Sequence, residues 1–135
     1  MITSRQTFTK AERLCSRKLI TGLFESGNCF YTPYFRVLWA KSGLQSIFPA
    51  QVAFMVPKKV FRLAVTRNLL KRRMREAYRK NKYLLYEFLD SQNISIALIV
   101  IFRKDKTADF NTIESAVKDM LERLKTNLKI YEKNT

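Results

Sequence analysis

Histidine is absent from this 135-residue chain, which removes Ser/His and Cys/His nucleophilic catalysis and histidine acid–base chemistry. Acidic residues are scarce too: 11 stand against 26 lysines and arginines, and only Glu12, Glu25 and Glu76 fall within the first 86 residues. A protein-based two-metal nuclease needs clustered carboxylates, so that chemistry finds few candidate ligands here. Cys15 and Cys29 are too far apart for a CxxC pair and have no histidine to complete a metal site. They read as reduced, packed or incidental thiols. No apolar run approaches the ~18 residues of a spanning helix, and the longest, Ile94 to Phe102, has the length of a strand. The opening MITSRQTFTKAER carries no apolar segment of the secretory type, which predicts a cytoplasmic chain without a membrane partner.

What the sequence does have is positive charge. The net charge is +15 and the pI near 10.2, far beyond what solubility requires, and the natural partner of such a surface is a polyanion. Nucleic acid is favoured over a membrane surface, because the amphipathic segments have the periodicity of core helices. The 47% hydrophobic fraction fills one core. The expected organisation is a single domain, with a loosely ordered basic arm at 1–12, a folded core at 13–128 and a tail at 129–135.

Along the chain, Leu19, Ile20, Leu23 and Phe24 recur at helical spacing between Ser16, a cap, and Ser26-Gly27, a stop, which predicts a helix over 16–26. Residues 30–40 read as one strand, with Phe35, Val37 and Trp39 on one face and Arg36, Leu38 and Ala40 on the other. A loop over 41–49 and a strand over Gln51–Val56 follow. A helix capped by Thr66 is expected to run to Asn81, with a further short helix over Tyr83–Leu89. Residues 95–102 are apolar at nearly every position, as in a central strand buried on both faces. A last helix begins at Asp109 or Asn111, with Asn111 and Glu114 resembling a capping box, and its apolar stripe from Ile113 to Leu128 is core. The order argues an α+β fold, one sheet packed by helices.

The most informative stretch is AVTRNLLKRRMREAYRK, residues 64–80. At ~100° per residue, Leu69, Leu70, Met74 and Ala77 gather on one side, while Arg67, Asn68, Lys71, Arg72, Arg75 and Arg79 gather on the other. Charged helix faces are usually solvated and mix signs to gain i,i+4 pairs. Here five cations share a stripe with only Glu76 nearby, a repulsion best offset by an anionic ligand. Arginine suits bidentate contact with phosphate and stacking on unpaired bases. Lys58, Lys59, Arg103 and Lys104 extend this patch if their strand ends lie beside the helix. Arg73 falls in the apolar arc, where its stem would snorkel from the core edge.

These residues carry a resemblance. Ala64-Val65, then Arg67-Asn68, Lys71-Arg72 and Arg75-Glu76 reproduce the spacing of the RNR motif of the bacterial ribonuclease P protein family. Phe54 to Lys59 resembles that family's strand ending in Lys-Lys, and Leu14 to Gly27 its first helix, so the similarity covers roughly residues 13–125. Two positions depart from the pattern: Leu69 replaces the second arginine of the motif, and Arg73 stands where an apolar residue is usual. The resemblance implies an α–β sandwich with a left-handed βαβ crossover. It also implies a protein subunit that contributes no catalytic residue and binds no metal or cofactor itself, within a holoenzyme whose RNA subunit performs Mg²⁺-dependent phosphodiester hydrolysis. Partners would be ribonuclease P RNA, in a 1:1 complex, and precursor tRNA. Lys58, Lys59, Arg67, Asn68, Lys71, Arg72, Arg75, Arg79 and Arg103 would face RNA, and Ile20, Phe24, Arg36 and Leu38 would line a cleft for the single-stranded 5′ leader.

Ile20, Phe24 and Leu38 have an equal reading as plain core residues, whereas Arg36 amid strand residues needs solvent or an anion. A structural RNA-binding protein without attached chemistry fits the composition as well as a ribonuclease P subunit does. Only the register of the motif separates them.

Overall fold

The computed structural model describes residues 7–42 and 48–133. Four strands form one sheet in the order β1-β2-β4-β3, from Asn28–Tyr31 (β1), Phe35–Lys41 (β2), Ala50–Met55 (β3) and Ile96–Phe102 (β4). Helix α1 (Arg17–Ser26) covers one face; α2 (Ala64–Asn81), α3 (Tyr83–Gln92) and α4 (Phe110–Lys133) cover the other. β1, β2 and β4 pair antiparallel, and β3 pairs parallel to β4, so α2 and α3 form the crossover between two parallel neighbours.

β4 occupies the centre, as its unbroken apolarity predicts. Ile96, Leu98, Val100 and Phe102 point into the larger core under the three helices, while Ala97 and Ile99 join Leu14, Leu23 and Leu38 beneath α1. The last helix supplies Ile113, Val117, Met120, Leu121, Leu124 and Leu128, all buried. Ser16 caps α1 by accepting from the Leu19 N–H at 3.3 Å. It ends where the backbone turns extended at Gly27, a position that requires glycine because a Cβ there would meet the Leu23 carbonyl oxygen at 2.6 Å.

Several boundaries differ from the sequence reading. Residues 30–40 are a hairpin and not one strand: the Thr32 hydroxyl accepts from the Phe35 N–H at 3.0 Å, and Thr32 N–H donates to the Phe35 carbonyl at 2.8 Å, closing a turn around Pro33. Thr66 is not the cap of α2, which begins two residues earlier after Leu63, whose carbonyl accepts from both Thr66 and Arg67 N–H. At α4 the cap is Asp109, whose Oδ1 accepts from the Thr112 N–H at 2.8 Å, while Glu114 instead accepts from Asn81 Nδ2 at 3.1 Å. The expected tail begins as helix, because α4 continues to Lys133 and Tyr131 packs edge-on against Trp39 at 5.2 Å. Residues 43–47 of the expected loop and 1–6 of the expected arm lie outside the described residues.

The rest of that arm is anchored. Phe8 packs on Phe54 and Tyr78, and Leu14 N–H donates to the Val52 carbonyl at 3.0 Å, covering the free edge of β3. Glu12, fully buried, accepts from Lys82 and from the Tyr86 hydroxyl, and Lys82 also donates to the Thr7 carbonyl. Burial alone would raise the Glu12 pKa, but the hydrogen bonds from Lys82, the Thr9 N–H and Tyr86 outweigh it and hold the carboxyl below its usual 4.5. Its contribution is therefore complete above pH 4.5 and is lost as pH falls through the lower folded-state value. Lys82→Met, which leaves this carboxylate buried without its partner, is expected to cost about 3–5 kcal/mol at neutral pH by urea denaturation. The gap from the unaltered chain should narrow as the pH falls, first above 4.5, where burial makes the variant's unpaired carboxyl take up its proton, and then below 4.5 as Glu12 of the unaltered chain protonates.

Candidate nucleic-acid interface

The inner side of α2 is set by Leu70, Met74, Ala77 and Tyr78, each 0% exposed. Leu69 is not among them; it is half-buried and lines a surface hollow of about 310 Å³ with Val65, Asn68 and Arg72. Asn68, Arg72 and Arg75 are exposed and Lys71 is half-buried, which leaves a basic outer face. Two members of that face have internal partners. Arg67 donates to the carbonyls of Phe61 and Arg62, each at 2.8 Å, and so braces the turn that enters α2. Arg79 donates through Nε to Glu76 at 3.1 Å, and this hydrogen bond holds the Glu76 carboxyl below its usual pKa.

Lys58 and Lys59 are exposed in the turn after β3, closed by the Phe61 N–H on the Pro57 carbonyl at 3.1 Å. Phe61 then packs on Phe102 with ring centres 5.9 Å apart, which brings the lysine turn, the start of α2 and the end of β4 to the same edge of the molecule. Arg103 emerges there. It donates to the Thr32 carbonyl at 2.7 Å and lies over the Tyr31 ring at 4.9 Å, so it is tethered to the β1–β2 turn.

Arg73 is turned away from the basic face. Its guanidinium donates to the Ala108 carbonyl at 2.6 Å and fastens the segment that leads into α4. It therefore does not stand in for the motif arginine that Leu69 replaces.

On the α1 side, sheet register aligns Tyr31 with Arg36, Arg36 with Ile101 and Ile101 with Met55. This row lies beyond the buried cluster under α1. Phe24, 44% exposed, faces it from the helix with its ring 5.8 Å from the Arg36 guanidinium. Arg36 Nε is buried and makes no hydrogen bond, an orphaned donor of the kind a ligand satisfies. Ile20 is half-buried against the cluster. Leu38 is 2% exposed and belongs to the core, so the structure removes it from the cleft wall. Tyr31, Met55 and Ile101 went unseen in the sequence because their place depends on register, and Tyr31 also on the hairpin. The turn residues Thr32-Pro33 were the one available signal.

Among the described residues, no group of three or more His, Cys, Asp or Glu is placed to hold a metal ion, and no helix is long and apolar enough to cross a membrane.

The fold and site define a small α+β protein with a cationic helix face beside an open, partly aromatic sheet surface. The ribonuclease P family profile matches residues 8–125. The ribonuclease P protein component of Porphyromonas gingivalis is 36% identical over 129 residues, covering 94% of each chain. That of Thermotoga maritima is 32% identical over 109 residues, covering 81% of this chain and 84% of that one. The Thermotoga maritima ribonuclease P protein structure superposes with a TM-score of 0.66 at 29% identity, over 83% of this chain and 96% of that chain. The Staphylococcus aureus ribonuclease P protein, at a TM-score of 0.68 and 22% identity over 85% and 96% of the two chains, shares the fold. The chain belongs to the ribonuclease P protein family and is a subunit of that ribonucleoprotein.

Because Arg73 acts inside the fold, Arg73→Met should lower stability by about 1–2 kcal/mol in thermal or urea unfolding. The salt dependence of RNA binding should stay as it is.

Proposed function

We propose that this chain binds ribonuclease P RNA through the outer face of α2 and receives the single-stranded 5′ leader of precursor tRNA between α1 and the sheet. In this reading it promotes removal of the leader without supplying a catalytic group. The observation that carries it is the build of α2: a fully buried inner side and an outer side with five cations and one acid, in a chain without histidine. Lysine and arginine at this density serve phosphate, and counterion release from RNA supplies most of the affinity. Lys71, Arg72 and Arg75 would contact phosphate directly, with Asn68 as a hydrogen-bonding neighbour. Arg67 and Arg79 would add field while holding internal partners. Lys58, Lys59 and Arg103 would extend the surface toward the cleft.

In the cleft, Phe24 offers a stacking surface for a leader base and Arg36 a free donor for its phosphate or base edge. Ile20 gives this wall an aliphatic contact in place of a second ring. Hydrolysis belongs to the RNA subunit, with Mg²⁺ acting there. The complex is 1:1 and the setting cytoplasmic.

Cleavage of a 5′-extended precursor tRNA by a bacterial ribonuclease P RNA at low Mg²⁺, with and without the protein and with the protein alone, tests the reading. Efficient cleavage only when both components are present is the expected result. Tight RNA binding without rescue would identify a structural RNA-binding protein instead. Phe24→Ala should weaken binding of a precursor with a long leader by about tenfold and leave a leaderless tRNA unaffected.

A further inference from the structure

The segment before α1 places one arginine where the α2 stripe meets the sheet edge. Arg13 forms a parallel bridge with Val52 on the outer edge of β3, and its guanidinium lies 5.7 Å from the centre of the Phe8 ring. Arg75 of α2 faces the same hollow, about 270 Å³ in volume, whose wall also includes Cys15, Val52 and Phe54. Among the described residues, neither guanidinium has a carboxylate partner. Partial burial and then the charge of Arg13 lower the Arg75 pKa, as expected for two cations held together without a counterion.

The placement is enforced. Glu12, next in sequence, is locked into the interior by Lys82 and Tyr86, the Leu14 N–H is held by Val52, and the Gln51 side chain donates to the Ala11 carbonyl at 3.1 Å. Arg13 is thus held on both sides while its own side chain stays exposed. Two like charges fixed this way repel, and an anion between them converts that cost into binding energy.

We propose that Arg13 and Arg75 form a clamp for one RNA backbone phosphate at the β3 edge, joining the basic face of α2 to the start of α1 and its cleft. The clamp rests on the reading of the chain as an RNA-binding subunit. Its phosphate comes either from ribonuclease P RNA or from the precursor's leader, two sources with the same chemistry.

The test measures salt-dependent binding of the full-length protein to a bacterial ribonuclease P RNA, and of the assembled complex to long-leader and leaderless precursor tRNA. Arg13→Gln, Arg13→Lys and Lys71→Gln are compared. If the phosphate belongs to ribonuclease P RNA, Arg13→Gln weakens that binding about tenfold and lowers the log–log salt slope by about 0.7–0.9, while Arg13→Lys keeps the slope. If it belongs to the leader, the same loss appears only for the long-leader precursor. No loss in either arm for Arg13→Gln, with Lys71→Gln still lowering the slope, overturns the clamp and spares the wider reading. No change with either variant overturns both. Cys15 provides a readout without substitution in the clamp: in a Cys29→Ser chain, bound RNA should slow alkylation of Cys15 at least severalfold, and an unaltered rate would contradict the proposal.

Discussion

The proposed surface for ribonuclease P RNA depends on how α2 is held. Its inner side chains Leu70, Met74, Ala77 and Tyr78 are fully buried against the sheet and α4, and burying side chains of the larger kind contributes roughly 1.5–3 kcal/mol each. Like charges spaced i,i+4, such as Arg67 with Lys71 and Lys71 with Arg75, each cost only about 0.2–0.5 kcal/mol. Core burial therefore outweighs the repulsion comfortably. The helix can carry a cationic stripe that would not be stable on an isolated peptide, and the repulsion is left for a ligand to relieve.

The sheet works by the same logic of unequal faces. β4 is buried on both sides, but α1 covers only part of its own side, so the row Tyr31, Arg36, Ile101 and Met55 is left at the margin of the small core. An unpaired Arg36 nitrogen in that place is costly unless something binds there. The crossover places α2 on the opposite face of the sheet from this row, and the two come together at the edge where Phe61 packs on Phe102. The Glu12–Lys82 pair pins the chain before α1 along the edge between the two. A buried ion pair is a weak source of net stability, yet separating its partners leaves a charge buried and unpaired, which is costly, so the pair holds this segment in place.

Much of this was legible from residue order alone. The unbroken apolar run of β4, the stripe of α4 and the Ser16 cap each have a single local interpretation, and the structure agrees with all three. The motif spacing in α2 identified the family. The shifted boundaries at 30–40, α2 and α4 turn on local turn and cap chemistry, whereas the misread roles of single residues turn mostly on neighbours distant in sequence. Glu12 looked like part of a polar arm because Lys82 lies 70 residues away. Arg73 looked like a core-edge arginine with an open role until the Ala108 carbonyl, 35 residues on, gave it one. Leu38 looked like a cleft residue because alternation assigns a face but does not say how far α1 reaches across it. Tyr31 was hidden by a hairpin whose turn, Thr32-Pro33, interrupts a run of strand-forming side chains.

In the proposed function, the charge on the outer face of α2 serves binding at the expense of folding. The most direct measurement is therefore made on one protein in two experiments, with Lys71→Gln and Arg72→Gln combined in the full-length chain. Its unfolding free energy and its affinity for ribonuclease P RNA are each compared with those of the unaltered protein. Equal or slightly higher stability together with clearly weaker RNA binding is the expected result. A less stable protein that binds RNA as tightly as before would contradict it, and would make those charges part of the fold.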